Sequence, residues 1–392
     1  MKKIQDLNFE NKNVLIRVDL NVPIDLQGRV KDLSRVEAIV PTVKYVLEHG
    51  GLPILMTHFG RPKGVVEEKF VLTPLVKALS EKLGEDVVYI RSFEIEEVIS
   101  AIADAKKKKQ IVLLENLRFH LGEEANDPDF SELLASFGEV YVNDAFSVSH
   151  RAHASVVGVP KYNKECAMGL HFQKEFEGIS PFINPTNHPV SFVLGGVKLE
   201  TKVGVLTAFI PKADNFLFGG GLANTFLAAK GVEIGKSVAD MGQIDVVRGM
   251  VEKMKEQGVK IFLPSDVIVS ETFDEGKVYE KEVDEVGKKE FILDIGKESQ
   301  RAYAGVLSEA KTIICNGTAG RIYRPGCEGG MKAVIEAMVA NKNALKLIGG
   351  GDSLEALRMF GISWKNFTYV STSGGAMLEF LEKGTLVGIE AL

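Results

Sequence analysis

Short runs of apolar, largely β-branched residues recur through the first half of the chain, and stretches with helical periodicity separate them. These runs are Val14–Val18, Pro53–Met56, Ile111–Leu114 and Val140–Val142. Continuous apolar runs of this length are typical of parallel strands buried on both faces. Between the first two runs, Arg35–Glu48 has the pattern of a helix, with the capping candidates Asp32 and Ser34 ahead of it. The repeated unit is therefore strand then helix.

The same alternation restarts in the second half of the chain. Its apolar runs are Val190–Leu194, Asn215–Phe218, Lys260–Leu263, Thr312–Cys315, Leu345–Ile348 and Thr368–Val370. The pattern predicts an α/β protein with two doubly wound parallel-sheet (Rossmann-like) domains, 1–168 and 189–372. Residues 169–188 are predicted to form a connecting helix and a linker that acts as a hinge. The charged segment Ser270–Val286 is predicted to be a peripheral hairpin.

Composition supports two domains and excludes some partners. The chain has 392 residues, more than the roughly 250–300 that one core usually supports. A formal net charge of -6 argues against nucleic acid or an anionic membrane as the main partner. The N-terminus lacks the apolar region of a signal peptide and no apolar run reaches membrane-spanning length, so a cytoplasmic location is expected. Cys166, Cys315 and Cys327 are too scattered for a disulfide framework or a zinc site, so reduced thiols are expected.

Polar residues follow the predicted strands of the first half, at the edge where doubly wound sheets bind ligands. Four of them are basic: His58, Arg61, Arg118 and Arg151. Alone, each would be interpreted as a surface residue in a salt bridge. Together at adjacent strand ends they predict a positive concavity whose mutual repulsion an anion would offset. Asn143 and Asp144 fit either ligand contact or fixing of a loop.

Glycines follow the predicted strands of the second half, at Gly195-Gly196, Gly219–Gly221, Gly317 and Gly349–Gly351. Glycine lets backbone N–H groups approach phosphate at a helix N-terminus. Lys198 and Lys202 are four residues apart, which predicts either a shared helix face suited to a phosphoryl group or a turn with solvated lysines. Asp352 is placed to hold Mg²⁺ bound to nucleotide phosphates. No classical phosphate loop, protease, hydrolase or protein-kinase motif is present. The two halves together predict a phosphotransferase.

Several motifs, in order along essentially the whole chain, resemble those of the phosphoglycerate kinase family. They are Arg17–Pro23, Leu114–His120, Val142–Phe146, His150–His153, Gly195–Lys198, Gly349–Asp352 and Val370–Thr372. The resemblance implies reversible, Mg²⁺-dependent phosphoryl transfer between 1,3-bisphosphoglycerate and ADP and 3-phosphoglycerate and ATP, in glycolysis and gluconeogenesis. It also implies a monomer that closes about the connecting helix, with residues 373–392 returning to the first domain.

The resemblance also assigns residues to roles. The glycerate substrate would be bound by Asp19, Asn21, Arg35, His58, Arg61, Arg118 and Arg151. The nucleotide would be bound by Gly196, Lys198, Lys202, Gly220, Gly221, Asn316, Gly350, Gly351, Asp352 and Ser353, with Asp352 holding Mg²⁺. Catalysis would rest on Arg35, Lys198, Gly351 and Gly374.

The chain departs from the family pattern on the nucleotide side. Where the family has Asn-Gly-Pro followed by a Phe-Glu whose carboxylate contacts ribose, this chain has Thr318 at the proline and Tyr323 at the glutamate. Val197 replaces an alanine, and Ser373 replaces the first of three glycines. Two alternatives follow: an altered nucleotide preference with the same acceptor, or a noncatalytic ligand-binding homologue. Retention of the phosphoryl-neutralising Arg35 disfavours the second alternative.

Overall fold

The structure, a computed structural model, describes residues 2–25 and 27–392. The chain forms two compact units. Unit 1 runs from the N-terminal region to Glu177 and also includes Thr385–Leu392, and unit 2 is Gly178–Gly384. The boundary lies inside a helix, Leu170–Ile179, within the segment predicted to connect two domains. The chain passes from one unit to the other twice.

Unit 1 is built on a parallel six-stranded sheet in the order β3-β4-β2-β1-β5-β6. Its elements are β1 (Asn13–Arg17), α1 (Ser34–Glu48), β2 (Leu52–Met56), α2 (Thr73–Leu83), β3 (Val87–Ile90), α3 (Ile95–Lys108), β4 (Ile111–Leu114), α4 (Leu121–Ala125), α5 (Pro128–Ala135), β5 (Val140–Asn143), β6 (Glu165–Met168) and α6 (Leu170–Ile179). A π-helical turn, Ala154–Gly158, precedes β6.

Helices cover both faces of this sheet. Apolar residues of α1 and α2 pack on one face, and those of α3 and α5 pack on the other. The strands are buried almost throughout, which explains their continuous apolar runs. Asp144 is buried after β5 and its Oδ1 accepts the N–H groups of His171 and Phe172 at the start of α6. The structure therefore supports the loop-fixing interpretation of Asp144.

Unit 2 repeats the plan with a parallel sheet in the order β15-β14-β13-β7-β8-β9. Its elements are β7 (Val190–Leu194), α7 (Val203–Phe209), β8 (Asn215–Phe218), α8 (Gly220–Ala229), α9 (Ile244–Glu256), β9 (Lys260–Phe262), β10 (Asp266–Ser270), β11 (Tyr279–Glu282), β12 (Phe291–Ile295), α10 (Lys297–Glu309), β13 (Thr312–Asn316), α11 (Gly329–Ala340), β14 (Leu345–Gly349), α12 (Gly351–Met359), β15 (Tyr369–Ser371) and α13 (Gly374–Lys383). The prediction of two doubly wound parallel sheets is confirmed.

The predicted peripheral hairpin is part of a larger element. Strands β10, β11 and β12 form a separate antiparallel sheet in the order β11-β10-β12. Two strands of the main sheet in unit 1, β3 and β6, were not predicted. In β6 the sequence Glu165–Met168 contains no β-branched residue, so its pairing with β5 rather than its own propensity places it in the sheet.

The last segment of the chain packs within unit 1. Helix α14 (Val387–Glu390) places the N–H of Gly388 2.8 Å from the carbonyl oxygen of Ser149. A Cβ on Gly388 would lie 2.7 Å from Ser149 Cβ and 2.8 Å from Val156 Cγ1, so only glycine allows this approach. Within residues 2–25 and 27–392, no helix has the length and apolarity needed to cross a membrane.

Candidate active site

Asp19 lies in the loop after β1, where polar neighbours surround its carboxylate. Arg35, in the first turn of α1, places Nη1 2.6 Å from Asp19 Oδ1. The Ser147 hydroxyl donates to Oδ2, and the N–H of Asn21 donates to Oδ1 at 3.1 Å. Burial opposes the ionisation of Asp19, but the charge of Arg35 and the other neighbours outweigh it and lower the pKa to about 2. The predicted residues Asp19, Asn21 and Arg35 thus lie together.

Gly60 joins the loops that follow β1, β2 and β4. Its N–H donates to Asn21 Oδ1 at 3.0 Å, and its carbonyl oxygen accepts Arg118 Nη1 at 2.7 Å. Its φ is +62°, and a Cβ would lie 2.3 Å from the Phe70 ring. Only glycine satisfies both the backbone conformation and the space, so this position holds the loops in register.

His58 follows β2 and is almost fully buried. Arg17, the last residue of β1, is fully buried and places Nη2 3.2 Å from His58 Nδ1. A guanidinium only donates hydrogen bonds, so Nδ1 accepts and the ring proton lies on Nε2. Burial, and then the charge of Arg17, lowers the pKa of His58 well below its usual value of 6.5. The ring is therefore neutral at pH 7.

Three predicted arginines differ in their surroundings. Arg118 is buried after β4, with Nε 3.1 Å from Glu124 Oε1 in an ion pair that lacks hydrogen-bond geometry. Arg151 is half-buried, and its Nε donates to His150 Nε2 at 3.2 Å. Arg61 is exposed. In the described part of the chain neither Arg151 nor Arg61 forms an ion pair with a carboxylate.

We define the basic cluster as Arg17, His58, Arg118, Arg151 and His153, all in unit 1. Its members affect one another electrostatically. Burial, and then Arg17, Arg118 and Arg151, lowers the pKa of His153 to about 4. Burial likewise lowers the pKa of Arg118, and Arg151 and Arg17 lower it further. A bound anion would relieve this repulsion, so the cluster suits an anionic ligand. No described side-chain contact links Arg61 to the cluster.

In unit 2 the predicted glycines pack against one another through their backbones. The N–H of Gly196 donates to Thr318 O at 3.2 Å, and the N–H of Gly220 donates to Ala319 O at 2.6 Å. A Cβ on Gly195 would lie 2.1 Å from Thr318 O. The amides of Gly196 and Gly220 are thus used inside unit 2, and these glycines allow close backbone packing rather than offering free N–H groups.

Three other residues that are predicted to bind the nucleotide also contact neighbouring segments of unit 2. Asn316 Nδ2 donates to the carbonyl oxygen of Gly349 at 2.9 Å. Ser353 Oγ accepts the N–H of Gly317 at 2.9 Å. A Cβ on Gly221 would have backbone atoms of neighbouring segments within 3.2 Å. These contacts fix the loops after β13 and β14.

Lys198 lies in an irregular segment and Lys202 in a turn, both ahead of α7, which begins at Val203. The prediction that they share a helix face is therefore wrong, because the chain turns before it enters the helix. Lys198 is exposed, whereas Lys202 is buried with Nζ 3.5 Å from the position of a Cβ on Gly196. Burial lowers the pKa of Lys202 and the charge of Asp352 raises it. The structure thus brings Lys202, Gly196 and Asp352 into one neighbourhood.

Helices α12 and α13 begin side by side at the same edge of the unit 2 sheet. A Cβ on Gly374, the first residue of α13, would lie 2.7 Å from Gly350 Cα. Gly350 precedes α12 and has a φ of +101°. The first N–H groups of both helices have no intrahelical partners, and their dipoles add positive potential at this position. Gly351 is exposed, with nothing within 4 Å of a Cβ position. The pair of helix starts suits an anionic group such as a phosphoryl group.

Asp352 is exposed in the first turn of α12. Mg²⁺ is commonly held by one or two carboxylates together with substrate phosphates. Among residues 2–25 and 27–392, no group of three or more His, Cys, Asp or Glu side chains could hold a metal ion by itself. Asp352 therefore fits Mg²⁺ that is bound mainly by nucleotide oxygens.

The segment that departs from the family pattern is tied to the antiparallel sheet. Arg324 is buried and donates to Thr272 O at 2.6 Å and to Ser270 Oγ at 2.9 Å. The Arg321 guanidinium lies 3.7 Å from the centre of the Phe273 ring. Tyr323, between these arginines, is 65% exposed. Two arginines therefore fix this segment and leave Tyr323 in solvent.

Sequence reasoning does not find the residues that support His58 and Asp19. Arg17 lies in one of the motifs but receives no role from it, and nothing in the sequence singles out Glu123 and Ser155 behind His58 or Ser147 beside Asp19. One signal was present: Arg17 stands in an otherwise apolar strand, and a buried charge requires partners. The partners themselves lie far away in sequence.

The chain is similar over nearly its whole length to known proteins. The family model described as phosphoglycerate kinase matches residues 4–384. The phosphoglycerate kinase of Moorella thermoacetica is 42% identical over 390 residues, covering 99% of this chain and 98% of that protein. The solved phosphoglycerate kinase structure from Coxiella burnetii has a TM-score of 0.86 at 34% identity, covering 100% of this chain and 98% of that one. The one from Pyrococcus horikoshii has a TM-score of 0.85 at 32% identity, with the same coverage. The chain belongs to the phosphoglycerate kinase family.

Proposed function

We propose that this protein is a phosphotransferase with a carboxyl acceptor, which moves a phosphoryl group reversibly between ATP and 3-phosphoglycerate. The products of the forward transfer are ADP and 1,3-bisphosphoglycerate. The observation that carries this proposal is the basic cluster beside the Asp19–Arg35 pair, in a chain of this family. Three largely buried arginines and two neutral histidines near a carboxylate suit a substrate that carries a phosphate, a carboxylate and a hydroxyl group.

On the acceptor side, the local contacts support the roles that the family resemblance implies. His58, Arg118 and Arg151 would bind the phosphate that stays on the substrate, with the exposed Arg61 as a further contact. Asp19 and Asn21 would accept and donate hydrogen bonds with the glycerate. Arg35, which pairs with Asp19, would neutralise the reacting carboxylate and the phosphoryl group in transfer.

On the nucleotide side, Lys198 and Lys202 would bind the nucleotide phosphates. The starts of α12 and α13, at Gly351 and Gly374, would receive the transferring phosphoryl group. The backbone contacts of Gly196, Gly220, Gly221, Gly350, Asn316 and Ser353 support a role in shaping this site. Catalysis then consists of positioning and charge stabilisation, with no covalent enzyme intermediate.

Mg²⁺ is the expected cofactor, held through Asp352 and the nucleotide. When bound, it would neutralise the charge of the phosphates. The proposal has two versions, which differ in the preferred nucleotide. The departures from the family pattern, Tyr323 among them, are the basis for a changed nucleotide preference, whereas retention of Lys198, Lys202 and Asp352 supports ordinary use of nucleotide phosphates and Mg²⁺ without distinguishing ATP from GTP.

The acceptor residues lie in unit 1 and the nucleotide residues in unit 2. Transfer requires the two bound substrates to meet, so we propose a monomeric, hinge-bending enzyme that acts in the cytoplasm as part of glycolysis and gluconeogenesis. Small-angle scattering should show a smaller radius of gyration with both substrates bound than with either one alone. Identical scattering in all four ligand states would contradict the hinge.

A coupled assay with ATP, Mg²⁺ and 3-phosphoglycerate tests the central proposal. We expect ADP formation that depends on 3-phosphoglycerate and stops when the metal is chelated. Calorimetry with the same ligands separates the alternatives. Binding of 3-phosphoglycerate without turnover by any nucleoside triphosphate would support a noncatalytic homologue, and turnover with GTP as efficient as with ATP would support an altered nucleotide preference.

A further inference from the structure

A buried chain of hydrogen bonds runs behind His58 in unit 1. Arg17 Nε donates to Ser155 Oγ at 2.8 Å. The Ser155 hydroxyl donates in turn to Glu123 Oε1 at 2.7 Å, and the N–H of Ser155 donates to Glu123 Oε2 at 3.0 Å. Arg17, Ser155 and Glu123 are all fully buried. The chain therefore ends in a buried carboxylate that offsets the charge of Arg17.

These contacts leave Arg17 little freedom. Its Nε is used by Ser155, its Nη1 donates to the carbonyl oxygen of Val18, and its Nη2 faces His58 Nδ1 at 3.2 Å. A planar guanidinium held at Nε and Nη1 presents its Nη2–H to the ring in a fixed direction. In the described part of the chain no protein group hydrogen-bonds to His58 Nε2.

We propose that Glu123, Ser155 and Arg17 are positioning residues that hold His58 in its Nε2–H form, so that it binds the anionic substrate as a neutral donor. This inference rests on the proposed function, because the anion is taken to be the phosphate of 3-phosphoglycerate. A neutral donor is useful here because Arg118 and Arg151 already supply positive charge. The charged imidazolium form of the ring would also bind an anion, but its positive charge would increase the electrostatic repulsion within the basic cluster.

The charges around His58 agree with a neutral ring. Arg17, Arg118 and Arg151 face it and oppose its protonation, and Asp19 is the carboxylate that favours it. Burial adds to the effect of the arginines, so the net shift of the pKa is downwards. Glu123 lies on the far side of Ser155 and 3.8 Å from His153 Nδ1, so its direct partners are Ser155 and His153 rather than His58.

The tautomer can be measured in the free protein without any assay. Nitrogen-15 NMR of histidine-labelled protein at pH 7 separates the seven histidines, and a His58→Gln variant assigns the resonance of His58. We expect the shift pattern of a proton on Nε2 and a bare Nδ1. A proton on Nδ1, or a charged ring, would overturn the inference even if the enzyme turns over normally.

The chain of contacts is tested by Ser155→Ala, which removes the hydroxyl between Arg17 and Glu123 but keeps the backbone N–H. We expect the single Nε2–H signal to become a mixture of tautomers. The KM for 3-phosphoglycerate should rise about three- to tenfold while the KM for ATP changes less than about twofold, as expected for one lost hydrogen bond. Added inorganic phosphate should bind the variant more weakly by a similar factor.

Ser131→Ala is the matched control. Its hydroxyl is buried in the same unit, donates to Asp127 O at 2.7 Å and lies next to Gly158 of the same π-helical turn. This variant should leave the His58 signal and both KM values unchanged. Equal effects of the two variants would mean that Ser155 acts only through packing. If Ser155→Ala fails to fold, Glu123→Gln and the wild-type spectrum decide the question.

Failure of the inference is distinct from failure of the proposed function. A protein with the expected His58 signal but no response to 3-phosphoglycerate would contradict the function alone. A protein that turns over 3-phosphoglycerate but shows the other tautomer would contradict only the role of Glu123, Ser155 and Arg17.

Discussion

The candidate site residues of unit 1 and those of unit 2 are held by different kinds of contact. In unit 1, charged side chains converge and are held by other buried side chains, as in the link from Glu123 through Ser155 to Arg17. In unit 2, backbones approach one another across glycines, and two helix starts supply the positive potential. The first half depends on which side chain stands at each position. The second depends on where a side chain is missing.

This difference bears on the departures that the family resemblance implies. By that resemblance, Tyr323, Val197 and Ser373 replace the usual residues, and all three lie in unit 2. Potential from backbone amides is independent of side-chain identity, so neighbouring side chains can vary without loss of the helix starts. In the basic cluster, by contrast, replacement of Arg17, Arg118 or Arg151 removes a charge, and replacement of His58 removes a hydrogen bond. The comparison therefore predicts sharper losses from side-chain changes in unit 1 than in unit 2.

The largest effect is expected for Arg35→Ala. Arginines that stabilise a transferring phosphoryl group contribute roughly 10³–10⁵ in rate, so kcat should fall about 10³-fold or more. Its side chain is 38% exposed, so little loss of fold is expected, and circular dichroism and thermal melting would check this. Steady-state kinetics with both substrates measures the loss.

Arg29→Ala is the matched control for Arg35→Ala. Arg29 also pairs with a carboxylate, at 2.9 Å from Asp25 Oδ2, but it is 76% exposed. Its kcat should stay within about twofold of wild type, since exposed ion pairs contribute little. A folded Arg35→Ala enzyme that keeps more than about a tenth of wild-type kcat would refute the role of Arg35 in transfer.

Tyr323→Glu would restore a carboxylate in the half that tolerates change. A charge-assisted hydrogen bond to ribose typically contributes about 1.5–3 kcal/mol, so the KM for nucleotide should fall roughly ten- to a hundredfold. Because ATP and GTP carry the same ribose, the KM for each should fall by a similar factor. Tyr323→Gln is the control, because glutamine has the length of glutamate without its charge. A nucleotide KM that is unchanged by Tyr323→Glu would show that Tyr323 has no effect on nucleotide affinity.

Gly351→Ala tests why this position of unit 2 is a glycine: to allow close packing of the protein, or to leave space for a ligand. No atom lies within 4 Å of a Cβ at this position, so the free energy of unfolding should not decrease. A methyl group would instead obstruct a phosphate at the start of α12, and kcat/KM for nucleotide should fall about tenfold. Gly305→Ala in α10, where a Cβ also has open space, is the control and should leave kcat/KM unchanged. Loss of stability without loss of nucleotide binding would reverse the interpretation of Gly351.

The smallest effect concerns the pH dependence of unit 1. The pKa of His153 is lowered from 6.5 to about 4 in the folded protein, so the unfolded chain binds this proton more tightly. Its contribution to stability is complete above pH 6.5 and is lost as the pH falls towards 4. The free energy of unfolding should fall by about 1 kcal/mol between pH 6.5 and 5.5 from this group. Denaturant titrations of wild type and His153→Gln measure it, and equal slopes in the two proteins would contradict the assignment.

Much of the fold could be predicted from the sequence because each main strand carries its own signal. The predicted runs Ile111–Leu114 and Val190–Leu194 coincide with β4 and β7. Buried parallel strands need apolar residues on both faces, and such runs are visible without a structure. Glu165–Met168 lacks that signal, since only its pairing with β5 makes it a strand.

The convergence of His58, Arg118 and Arg151 could be predicted as well, because strand ends meet at one edge of a parallel sheet. Their supports could not. Ser155 is 138 residues from Arg17 and 32 from Glu123, and no local pattern joins them. The glycines of unit 2 show the same limit. The sequence indicates where a side chain is absent, but it does not indicate what lies beside the glycine. At Gly195 the space is filled by Thr318, whereas at Gly351 it is open.

The return of the chain to unit 1 also has a consequence for synthesis on the ribosome. Residues 385–392 complete unit 1, where Gly388 closes against Ser149 and Val156 beside the turn that contains Ser155. They are translated only after all of Gly178–Gly384, which at 5–20 residues per second takes roughly 10–40 s. Throughout that interval the nascent unit 1 lacks the cover provided by α14, while unit 2 has its full sequence before unit 1 does. The part of the protein that begins first is therefore the last to be completed.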